Sequence, residues 1–155
     1  MAHAPFVPLR VFSSFTMLDG AIDPKAMAKL AKERHFPAIA MTDRNGLYGA
    51  MAFASACKDM GIQPLIGTFL GLRRDGNGPI DWLGLLVQND AGWLNLGRLV
   101  SRAHLERPLE LDPHVTFAEL EAGTEGLIAL TGAGEGALAR LLADGKRDEA
   151  QGYCE

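Results

Sequence analysis

The sequence predicts an α/β domain with a largely parallel sheet or barrel. Short apolar runs alternate along the chain with stretches of helical periodicity, the pattern of strands linked by helices. Hydrophobic residues are 48% and charged residues 22%, so there is a core to bury and wholesale disorder is excluded. The length of 155 residues fits one domain. The 18 glycines fall between the periodic segments, which marks them as turn residues linking short elements.

Residues 6–12 (FVPLRVF) mix β-branched and aromatic side chains and read as a first strand, with Pro8 tolerable at an edge or strand start. Asp23 before Pro24 is an N-cap followed by proline at the first helical position, and Met27, Leu30, Ala31 and Arg34 continue a helix to about His35. Residues 37–42 (PAIAMT) predict a buried strand ending in the polar loop 43–46. A helix over 47–60 is stopped by Gly61. Residues 62–72 form a third strand, and the turn 74–78 leads to a fourth at 81–87. Asp90 caps a helix to about Leu105 with Trp93, Leu94, Leu96, Leu99 and Val100 on its apolar side. Thr116 and Glu119 fit a capping box for a short helix. A fifth strand at 126–131 and a helix at 136–143 follow, and 146–155 looks like the opening of another helix in a truncated piece of a longer chain.

Composition also limits function. Lys plus Arg is 15 against 19 for Asp plus Glu, a net charge of −4, which argues against a basic face gripping a nucleic-acid backbone. Any link to DNA is therefore expected to be indirect. Cys57 and Cys154 cannot build a disulfide framework, and the absence of a secretory leader points to the cytoplasm. Apolar runs such as 83–87 are too short to span a bilayer. Cys57 lies at helical spacing from Phe53 and reads as a buried structural thiol.

In parallel α/β folds chemistry gathers at the C-terminal ends of strands, which singles out residues 10–20, 42–46 and 67–69. The segments FVPLRVFSSFTMLDG (6–20), PAIAMTDRNGLYGAMAFASACKDMGIQPLIG (37–67), NDAGWLNLGRLVSRAHLE (89–106) and EGLIALTGAGEGALARLL (125–142) carry a resemblance over nearly the whole chain. Together they resemble the N-terminal PHP (polymerase and histidinol phosphatase) domain of bacterial DNA polymerase III alpha subunits. The resemblance implies a distorted TIM-like barrel, incomplete in this chain, with a cluster of metal ligands at the strand ends of active members.

By the same resemblance, the ligand positions are degenerate here. The family's His-x-His falls on Arg10 and Phe12, a third histidine on Arg44, a glutamate on Phe69 and a cysteine on Ala133, while Asp19 and Asp43 keep their carboxylates. Guanidinium has only donors and phenyl has no lone pair, so no metal and no phosphoesterase chemistry are expected. Asp19 and Asp43 are read either as turn residues or as members of a polar network. The network reading makes an ion-pair cluster of Arg10, Asp19, Asp43 and Arg44, in which guanidinium replaces the charge of a lost metal.

Residues 132–136 (GAGEG) resemble a phosphate-binding glycine loop but lack its Lys-Ser/Thr, so a strand-to-helix turn is expected. The function implied is a non-catalytic scaffold that docks the proofreading exonuclease and other replisome subunits. DNA and Mg²⁺ would belong to the polymerase domains of the parent protein. Two alternatives stand beside it. One is an active metal-dependent phosphoesterase using Asp19, Asp43, His104 and His114; the other is the same domain of an error-prone paralogue.

Overall fold

The structure is a computed structural model that describes residues 3–74, 76 and 78–154. Two helices come first around a strand: α1 (Pro24–Glu33), β1 (Ala38–Met41) and α2 (Ala50–Met60). Strands β2 (Gln63–Arg73) and β3 (Ile80–Val87) follow, then α3 (Asp90–Leu105), β4 (Val115–Thr116), α4 (Phe117–Glu121) and β5 (Leu127–Leu130). A 3₁₀ turn (Ala133–Glu135) leads into α5 (Ala137–Ala143) and α6 (Arg147–Cys154).

Local chemistry sets most of these boundaries. The Asp23 side chain accepts a 2.8 Å hydrogen bond from the Lys25 N–H, with Pro24 filling a position that needs no donor. His35 at φ 57° lies outside the helix, which ends at Glu33 rather than near 35. Gly61 at φ 69° closes α2, whose first regular turn begins at Ala50 and not at 47. The capping box of α4 forms as expected, with both Thr116 and Glu119 bonds present. In α3 the cap is Asn89, not Asp90: the extended Asn89 accepts from the Gly92 N–H at 3.0 Å, and Asp90 becomes the first helical residue, where its charge suits the helix dipole.

The expected first strand does not form. Residues 6–12 run beside β1, but Ala40 N–H donates to the Pro8 carbonyl and Thr42 N–H to that of Val11. A step of two residues on β1 thus meets a step of three on its neighbour, and Pro8 has no N–H to return a bond. Regular pairing cannot propagate.

The sheet is mixed, which corrects the expectation of a largely parallel one. Strand order is β1-β2-β3-β5, with β4 also beside β2. β1 and β4 pair with β2 in parallel, whereas β3 runs antiparallel to both β2 and β5. The connection from β2 to β3 is too short for a crossover, so the chain must turn back on itself. Asp75 and Asn77 of the expected turn lie outside the described residues, as does Glu155 of the last expected helix. Among the described residues the sheet path is open, with β5 at one end.

Two cores result. Met27, Ala31, Ile39, Met41, Phe53 and Cys57 pack between α1, α2 and β1. Leu70, Leu72, Leu83, Leu96, Leu99 and Val115 pack between the sheet and α3. Burial pushes the Cys57 thiol up to about 11, which makes it a structural, unreactive group. Because side chains alternate along strands, Phe69 of β2 and Trp82 of β3 occupy the sheet face opposite Leu70, Leu72 and Leu83. Among the described residues no helix is long and apolar enough to cross a membrane.

Candidate functional site

On that opposite face, two loops and a turn converge on Phe69 and Trp82. The first loop, residues 13–22, closes through a bridge between Ser13 and Ile22. Gly20 is required there, because a Cβ would overlap the Ser13 carbonyl. The second loop follows β1. Phe69 N–H donates to the Asp43 carbonyl and Asn45 N–H to that of Phe69, both at 3.0 Å, so Arg44 is fixed beside Phe69. Thr68 Oγ1 donates to the Asp43 carbonyl at 2.7 Å. The turn after β5 enters through Gly132 at φ 76°, packed on the Trp82 carbonyl where no side chain fits.

These pieces build an arginine–aromatic cluster. Phe69 and Trp82 stack with ring centroids 5.5 Å apart, and Phe12 tilts against Phe69 at 5.6 Å. The Arg44 guanidinium lies 4.4 Å from the Trp82 ring and 5.1 Å from that of Phe12. The Arg10 guanidinium lies 4.4 Å from the Phe69 ring. Such contacts favour the cation wherever water is partly excluded.

Glu135 closes the cluster: one carboxylate oxygen accepts from Arg10 Nη2, and the other from Arg44 Nη2 at 2.6 Å. Arg44 Nε donates to Asp19 at 2.9 Å. Partial burial pushes the Glu135 carboxyl upward, but the hydrogen bond and charge of Arg44, then those of Arg10, hold it below the usual carboxylate range.

The ion-pair cluster expected from sequence therefore needs correction in its membership. Arg10, Arg44 and Asp19 are together, with Asp19 paired to Arg44. Asp43 is not part of it. Its buried carboxylate accepts from Ser13 N–H at 2.6 Å, Ser13 Oγ at 2.6 Å and Thr16 Oγ1 at 2.8 Å, so hydroxyl and amide donors take the place of a cation. Arg10 pairs with Glu135, a residue the sequence reading passed over. Its signal was an acidic side chain in the 132–136 turn, at the strand end where ligands gather. Ala133 sits in that turn at φ 50°; with Leu9, Arg10 and Phe69 it lines a cavity of about 240 Å³.

The metal that the resemblance implies for active members does not fit the residues present. Arg10, Phe12, Arg44, Phe69 and Ala133 offer donors, rings or a methyl group instead of lone pairs. His104 Nε2 is bonded to the Asn45 carbonyl at 2.6 Å, and His114 Nδ1 to the Asp112 carbonyl of its own loop at 2.7 Å. Among the described residues no three His, Cys, Asp or Glu side chains gather as metal ligands would. Asp19, Asp43, His104 and His114, the residues of the phosphoesterase alternative, thus form no such group.

Comparison with known proteins places the fold in a class. The PHP domain family matches residues 8–155, and the chain belongs to that family. Its curated relatives include the DNA polymerase III alpha subunits of Caulobacter vibrioides, 41% identical over 94% of this chain, and of Vibrio cholerae, 32% identical over 100%. An error-prone DNA polymerase of Symbiobacterium thermophilum is 34% identical over 94% of the chain. The chain spans 13 to 14% of the length of these relatives.

Two solved structures share the fold over 63% of this chain and 32% of theirs. One, from Bifidobacterium adolescentis, is described as a metal-dependent phosphoesterase, with a TM-score of 0.50 and 13% identity. The other is an amidohydrolase of Chromobacterium violaceum with bound sulfate and no metal, with a TM-score of 0.51 and 22% identity.

Proposed function

We propose that the chain is a non-catalytic PHP domain of a bacterial replicative DNA polymerase III alpha subunit, acting as scaffold and docking surface in the cytoplasm. The observation that carries this reading is the arginine–aromatic cluster. By the resemblance, Arg10 and Arg44 fall where active relatives would need metal ligands, and the cluster ties three separate chain segments together through Glu135 and Asp19. Such a device favours rigidity over turnover. The sheet then forms part of a distorted barrel, DNA synthesis with Mg²⁺ belongs to other domains of the parent protein, and the proofreading exonuclease is a partner along with other replisome subunits.

The test uses the full-length polymerase subunit. Wild type is expected to release no phosphate from a phosphomonoester with Mn²⁺ or Zn²⁺, while Arg44→Met lowers thermal stability and polymerase activity together. Metal-dependent turnover abolished by Asp43→Asn would overturn the scaffold reading. Co-elution with the exonuclease subunit tests docking, and its absence at micromolar concentrations would remove that part. A second reading, the corresponding domain of an error-prone polymerase, draws support from the 34% identity to such an enzyme. Fidelity of synthesis by the full-length protein separates the two.

A further inference from the structure

We propose that Arg10 and Arg44 form a binding site for a phosphate-type oxyanion, which Glu135 fills from within the chain and yields to a competing anion. The inference goes beyond the scaffold reading, since it concerns a ligand and involves no catalysis. Glu135 places one oxygen on each guanidinium, as a bridging oxyanion would between two forked donors. The carboxylate has two oxygens, and both are used. Arg44 Nη1 is nevertheless buried with no hydrogen-bond partner among the described residues, a donor that a tetrahedral anion with more oxygens can satisfy.

The internal occupant is built to leave. Glu135 sits at the end of a three-residue 3₁₀ turn with no buried residue, between Gly134 and Gly136, and its side chain is 38% exposed. The arginines are built to stay. Phe12, Phe69 and Trp82 support both guanidiniums independently of Glu135, and Asp19 holds Arg44 through Nε. Moving Glu135 out would therefore leave two positioned cations facing a single carboxylate.

Trp82 reports on the site because the Arg44 guanidinium lies against its ring. Trp93, on α3, is replaced by phenylalanine so that the signal is from Trp82 alone. Inorganic phosphate is titrated into this Trp93→Phe chain, with sodium chloride at matched ionic strength as control. A saturable change in emission is expected with phosphate and not with chloride. If Glu135 fills the site at least nine-tenths of the time, Glu135→Ala tightens the apparent Kd by about tenfold or more. Glu135→Gln, which keeps side-chain size and removes the charge, tightens it in the same direction and serves where the alanine variant does not fold. Arg10→Met on either background abolishes saturation. A response identical for phosphate and chloride would overturn the proposal. So would an unchanged Kd in both Glu135 variants, or saturation that persists without Arg10.

Discussion

Arg140 on α5 grips Asp81 of β3 through two hydrogen bonds of 2.8 Å each, the planar fork of guanidinium matched to both oxygens of one carboxylate. Asp81 is 3% exposed, and Arg74 Nε approaches it at 3.5 Å as a second cation. Removing Arg140 leaves a buried carboxylate with one poorly placed partner. Breaking a buried pair costs about 3 to 5 kcal/mol; because Arg140 is a third exposed, Arg140→Met should cost about 2 kcal/mol. Urea denaturation measures it, and Arg140→Met with Asp81→Asn should recover part of the loss. Equal stability of Arg140→Met and wild type would rule out this account.

The pairing in the arginine–aromatic cluster predicts which double-mutant cycles couple. Arg44 with Asp19 and Arg10 with Glu135 should each show coupling of about 0.5 to 1 kcal/mol, as their carboxylates are substantially exposed. Arg10 with Asp43 should lie within about 0.3 kcal/mol of zero, since Asp43 is satisfied by Ser13 and Thr16. A larger coupling for Arg10 with Asp43 than with Glu135 would contradict the assignment.

Asp43 organises the loop at residues 13–22. Asp43→Ala would strand the Ser13 amide and two hydroxyls, at about 1 to 3 kcal/mol for each buried donor left unpaired. A loss of at least about 3 kcal/mol is expected by urea denaturation. Asp43→Asn, which preserves shape and part of the acceptor capacity, should cost less. Asparagine and alanine variants of equal stability would argue that the three hydrogen bonds contribute nothing.

Acid should weaken the fold through two glutamates. Burial pushes Glu119 up, but its bonds from Arg107 and Thr116 outweigh this and lower it from 4.5; Glu135 is lowered from the same value. A carboxyl whose folded value is depressed binds protons more readily when unfolded, so its contribution is present above about 4.5 and lost as pH falls through the folded value. Urea midpoints should be flat from neutral pH to about 5 and then decline. Glu119→Gln with Glu135→Gln should flatten that decline; an unaltered acid limb would exclude these two groups as its source.

Signals that act over a few residues were legible in the sequence. Asp23-Pro24, Gly61 and the Thr116/Glu119 pair each declare a helix end through bonds made within one turn. The resemblance led to the expectation of Arg10 and Arg44 at one sheet end; the structure has them over the sheet face at Phe69 and Trp82. Pairing partners were not legible. Glu135 meets Arg10 across 125 residues, and no local pattern announces such an encounter. Asp43 was assigned a cation because a buried carboxylate needs compensation; that three neutral donors supply it depends on how the Ser13 loop folds back. Antiparallel β3 was legible in the short turn 74–78, whose length excludes a helical crossover, but the strand–helix alternation elsewhere carried the expectation of a largely parallel sheet.

One strand and one leucine join the two apolar cores. The core under α1 and α2 and the core under α3 are separate clusters, yet β2 contributes Ile66 to the first and Leu70 and Leu72 to the second, and Leu47 packs against both. Apolar contact between the two cores thus runs through β2 and Leu47, while the Glu135 ion pairs and the His104 bond to the Asn45 carbonyl join the same halves by polar contacts, and this junction is what makes the halves melt as one transition. A weakened junction would let the halves melt separately while each core stayed fully packed.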